Sequence, residues 1–125
     1  MTSEEYAEMV KQTIMRARTD SGEEDVRVLW AYKDLADGSH KRCLGIGRRQ
    51  YEVDPNRQAF EDRPVWDALV EARQEVLDIP AYLVQAEHLA DAPIRLQVQH
   101  GIAVAVQLLL ILDSIAETIS EADNG

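Results

Sequence analysis

A chain of 125 residues, 46% of them apolar but with only two Trp, four Tyr and one Phe, is sized for one domain with an aliphatic core. Its formal charge of −10 excludes duplex nucleic acid and anionic membranes as favourable partners, whereas nucleotides stay accessible through a bridging divalent cation. A single cysteine, Cys43, excludes an intrachain disulfide.

The N-terminal MTSEEYAEMV lacks the basic and apolar parts of a signal peptide. The longest apolar run, from Gly101 to Leu112, is interrupted by Gln107 and falls short of the roughly 20 residues that cross a bilayer. The expectation is a soluble, cytoplasmic protein with no membrane partner.

Along the chain, Thr2 and Glu5 have capping-box spacing, and Tyr6, Met9, Val10, Ile14 and Ala17 then recur at helical intervals. This predicts a first helix from about Ser3 to Arg18, broken by Asp20-Ser21-Gly22. Ser21 and Glu24 predict the cap of a second helix. Val26, Leu29, Trp30 and Lys33 mark its pattern, and Asp37-Gly38 is its expected end. The stretch VRVLWAY also has β-propensity, but no second strand is available to pair with it.

Ser39 is a candidate cap for the stretch that follows, to Gln50. That stretch is weakened by Gly45 and Gly47 and is the only basic segment, with His40, Lys41, Arg42, Arg48 and Arg49. Residues 51–63 read as a connection. Asp62-Arg63-Pro64 is a helix start, since proline in a first turn has no N–H to lose. The helix that follows directs Trp66, Leu69, Val70, Val76 and Leu77 to a core, and Pro80 predicts a kink or a restart near Ile79. Leu83, Val84 and Leu89 continue the pattern. Asp91-Ala92-Pro93 begins the last helix, expected to run to about Ser120, with residues 1–3 and 121–125 frayed. The two tryptophans, Trp30 and Trp66, read as core anchors.

The fold class is therefore all-α: an antiparallel bundle of four to five helices forming a single domain over 1–125. Between Ile102 and Leu112 almost every position is apolar, and a helix apolar all round must be covered all round. Four or five helices of this size can hardly enclose one of their own, so a homodimer or homotetramer is expected to complete the shell.

The candidate chemistry lies in Asp67, Glu71, Glu75 and Asp78. At 100° per residue, spacings of four, four and three place these acids within an arc of roughly 80°. Solvated helix faces normally intersperse Lys or Arg at i±3 or i±4. No basic residue stands at those offsets from Glu71, Glu75 or Asp78. An uncompensated carboxylate stripe suits Mg²⁺ or Mn²⁺, which take oxygen ligands and share them with substrate phosphates. The plainer reading, an ordinary solvated acidic face, stands beside it.

The segment from Glu71 to Leu83, with Glu75-Val-Leu-Asp78 followed by Tyr82-Leu83, resembles the metal-binding helix of MazG-like nucleoside-triphosphate pyrophosphohydrolases. Gly47-Arg-Arg-Gln-Tyr51 is similar to a stretch upstream of that helix in the short, phage-type members, so the likeness spans about residues 47–83. The resemblance implies an all-α oligomeric enzyme that hydrolyses a (deoxy)nucleoside triphosphate to a monophosphate and pyrophosphate. Glu75 and Asp78 would hold Mg²⁺, with Glu71 as a third ligand or as the base that orients water. Lys41, Arg42, Arg48 and Arg49 are the candidates to hold the phosphates. The Glu-x-x-Glu pair of the family's preceding helix has no counterpart, because no acid occurs between Lys41 and Tyr51. The alternative is a non-catalytic helical oligomer, an interaction or regulatory module with an acidic face. His40, His88, His100 and Cys43 lack metal-site spacing, and Gly45-Ile-Gly47 lacks a phosphate-loop Lys-Ser/Thr.

Overall fold

The computed structural model describes residues 1–45 and 65–124. Within them lie four helices and no strand: α1 (Ser3–Asp20), α2 (Val26–Cys43), α3 (Val65–Leu89) and α4 (Arg95–Asn124). The expected all-α bundle is what forms. The start of α3 at Asp62-Arg63-Pro64 and the segment from Gly47 to Arg63 lie outside the described residues.

The first helix follows the sequence closely. The Thr2 hydroxyl accepts from the Glu5 amide at 3.0 Å, which is the cap half of the expected box, while the Glu5 carboxylate accepts from the Thr2 hydroxyl at 3.1 Å. Ala7, Val10, Ile14 and Ala17, spaced three, four and three, are buried. Two alanines in that stripe let α2 approach closely and run antiparallel. Lys11 meets Asp37 at 3.5 Å, and Arg18 donates to the Leu29 carbonyl at 3.1 Å.

The second helix departs from expectation at both ends and in register. Its cap is Asp25, which accepts from the Arg27 amide at 2.9 Å; Ser21 instead closes the preceding turn. The inward face is Ala31, Tyr32, Leu35, Ala36, Ser39 and Arg42, whereas Val26 is exposed and Trp30 is 58% exposed. Trp66 is also exposed. Neither tryptophan anchors the core; the inward positions of α2 are taken by Ala31, Tyr32, Leu35 and Ala36, and Trp30 stands outside that face. Nor does α2 stop at Gly38. A Cβ there would lie 2.6 Å from the Leu77 Cδ2, so Gly38 is the point where α2 and α3 touch.

The third helix runs unbroken through Pro80, where a kink or restart was expected. Pro80 has no N–H to give the Val76 carbonyl and its ring crowds that group; the next carbonyl along the helix is that of Leu77. The fully buried Ser39 hydroxyl donates to that carbonyl at 2.7 Å. From α1, the Tyr6 hydroxyl donates to the carbonyl of Ala81. Neighbouring helices thus hold α3 on either side of the proline.

The fourth helix begins at Arg95, two residues after Pro93, and continues to Asn124 through the tail that was expected to fray. It packs antiparallel to α3: Arg73 pairs with Asp113 at 2.9 Å, and Gly101 leaves room for Leu83, whose Cδ1 would be 2.7 Å from a Cβ. Val98, Ile102, Ala105, Val106 and Leu109 enter the common core with Val10, Ile14, Leu35, Val76 and Val84. By length and composition α4 is apolar enough to cross a membrane, although the uninterrupted run alone suggested otherwise. Its glutamines interrupt the pattern without adding charge.

Candidate functional site

The acids of α3 do not share one environment. Glu75 is exposed, while Asp67, Glu71 and Asp78 are half-buried. Asp78 lies where α3 crosses the last turn of α2, and Arg42 reaches it from there. The Arg42 Nε donates to Oδ1 at 2.8 Å and its second terminal nitrogen donates to Oδ2 at 2.9 Å. The Arg42 side chain is 9% exposed and that of Asp78 21%, so the pair sits largely out of water. Such a fork-on-fork arrangement is the strongest geometry open to a guanidinium and a carboxylate.

Two residues expected in different roles, a metal ligand and a phosphate holder, are thereby joined to each other. The stripe looked uncompensated because i±3 and i±4 positions see only their own helix. Asp78 is compensated by a neighbouring one. Asp67 and Glu71 are not free either. Among the described residues, no three His, Cys, Asp or Glu side chains converge as a metal ion requires. Lys41 is exposed. Arg48 and Arg49 lie outside the described residues.

The Arg42–Asp78 pair forms part of the wall of a cavity of about 140 Å³ with Tyr6, Cys43, Ala81, Tyr82 and Gln85. The Tyr6 hydroxyl is held above its ordinary ionisation range, mainly by burial and then by Cys43 nearby, against a smaller lowering through the Gln85 backbone.

Compared with protein-family models, curated proteins and solved structures, the chain matches none.

A second grouping went unnoticed in the sequence. Asp25 and Asp34 of the α2 region and Asp113 and Glu117 of α4 line a cleft of about 440 Å³ with Arg27 and Trp30. These acids are up to 92 positions apart, so no local pattern signals them. Asp113 is held by Arg73, and Lys33 lies 5.8 Å from the Trp30 ring centre.

Proposed function

We propose that this chain is a non-catalytic helical interaction module, similar in its α3 segment to MazG-like pyrophosphohydrolases. In this reading an internal guanidinium takes the place beside Asp78 that a metal would occupy. The observation that carries it is the two-point Arg42–Asp78 pair at 2.8 and 2.9 Å. Mg²⁺ demands carboxylate oxygens at about 2.0–2.1 Å in a near-octahedral shell. Asp78 would have to release Arg42 first, and a largely buried partner deprived of its counter-charge costs about 2–4 kcal/mol once the partial exposure of Asp78 is allowed for. A cation binding there would lose roughly two to three orders of magnitude in affinity to that cost.

The second reading is Mg²⁺- or Mn²⁺-dependent hydrolysis of a (deoxy)nucleoside triphosphate. It draws support from Glu71, Glu75 and Asp78 sharing one stripe of α3, with Asp78 on the wall of a cavity. Pyrophosphate release from a panel of nucleotides, with either metal present, separates the two. The module reading expects no release above that of Glu75→Ala. Turnover that disappears in Glu75→Ala would overturn it and establish the hydrolase.

A further inference from the structure

The inner side of α4 is spent on the core, and its outer side is not. Val104, Leu108, Ile111 and Ile115 are 37–52% exposed, and Leu96 is 79% exposed. The four from Val104 to Ile115 are spaced four, three and four, the repeat that forms a seam between two helices. From Leu96 to Leu112 the helix carries no Asp, Glu, Lys or Arg on any face. The antiparallel register of α3 and α4, set by Arg73 with Asp113 and by Leu83 over Gly101, brings the exposed Trp66 and Val70 alongside the last third of this helix.

We infer that this face is closed by a second copy of the same chain, the two α4 helices lying antiparallel about a two-fold axis near Leu108–Ile111. Charge selects the direction. The acids of α4 (Asp113, Glu117, Glu121 and Asp123) all lie in its second half, and Arg95 is its only Lys or Arg. A parallel pair would stack acid upon acid. An antiparallel pair keeps the two acidic ends apart, sets each beside the opposite end of the other copy, where Arg95 already pairs with Glu87 at 2.8 Å, and leaves the charge-free stretches in contact, where the repulsion between two chains of −10 is least. The exposed apolar side chains amount to on the order of 500 Å² per copy. Symmetry doubles this to about 1,000 Å², the threshold for a stable interface. Because a two-fold pair repeats the same patch on both sides, one seam serves both copies.

This inference gives the interaction-module reading its partner, and it is read out by mass rather than by pyrophosphate release. A dimer that hydrolyses nucleotides sinks only that reading; an inactive monomer sinks only this inference. Sedimentation of the full chain from 1 to 200 µM should show a dimer, and Ile111→Glu should weaken dimerisation at least 100-fold with helical content unchanged. Val104→Lys, another exposed position, serves as the second variant. Direction is tested by oxidation in a Cys43→Ser background. Leu108→Cys should form a disulfide-linked dimer readily, whereas Leu96→Cys and Ala122→Cys, far from the axis, should not. Cross-linking at Leu96→Cys or Ala122→Cys would overturn the antiparallel assignment. A monomer throughout the concentration range, or flotation with neutral phosphatidylcholine vesicles in place of dimerisation, would overturn the second copy as occupant.

Discussion

Removing one half of the Arg42–Asp78 pair tests whether it is a structural element or a surface contact. Asp78→Ala takes the paired carboxylate from a guanidinium whose side chain is 9% exposed. A buried ion left alone costs about 3–5 kcal/mol. The 21% exposure of Asp78 admits some water, which lowers the expectation to about 2–4 kcal/mol. For a domain of this length that is a fall in Tm of roughly 10 °C. Arg42→Met should cost a similar amount, because it leaves the carboxylate alone. Arg42→Met/Asp78→Leu replaces both charges with apolar groups and should return to within about 1 kcal/mol of the parent, since paired burial of ions gains little over good packing. The assay is urea denaturation of all four proteins at one protein concentration, because association adds to apparent stability. Single variants that each cost less than about 0.5 kcal/mol and add without coupling would refute the reasoning. Stabilisation of the parent by millimolar Mg²⁺ that is lost in Asp78→Ala would refute it more directly.

Three other substitutions probe how the helices meet. Ser39→Ala removes the buried hydroxyl that satisfies the Leu77 carbonyl beside Pro80, and urea denaturation should show a loss of about 1–3 kcal/mol. Gly38→Ala and Gly101→Ala each gain about 1 kcal/mol of helix propensity, but their steric settings differ. At Gly38 a Cβ meets both Leu77 methyls and Cγ, at 2.6, 2.9 and 3.2 Å, so the whole branched end must move. At Gly101 only one Leu83 methyl is closer than 3.0 Å. Thermal melts should therefore place Gly38→Ala well below Gly101→Ala, and the reverse order would refute this packing argument. Tyr6 yields a pH prediction. Its ionisation is raised above the ordinary value of 10.0, so its contribution is complete below pH 10 and is lost as pH rises through the higher folded value. Stability measured from pH 8 to 11 should fall more steeply for the parent than for Tyr6→Phe, and parallel curves would count against it.

What the sequence by itself determined is the part governed by contacts within one helix. The Thr2 cap on the Glu5 amide, the Val10–Ile14–Ala17 stripe and the apolar surplus of the last helix all operate at spacings of three and four residues, and each is present as expected. The acids of α3 are equally local, so their shared stripe was legible too. What those acids face was decided only when α2 crossed α3. Arg42 lies 36 positions from Asp78, and a compensating charge at that separation leaves no periodic trace. The same reason explains the two tryptophans and Pro80. A Trp looks like a core residue until the packing of the helices fixes which face of each turns inward, and Trp30 and Trp66 stand outside those faces. A proline looks like a break until Ser39, 38 positions from Leu77, and Tyr6, 75 positions from Ala81, hold the helix on either side of it. Local pattern sets which face of a helix is apolar or charged; the approach of another helix sets whether that face is buried, paired or left open.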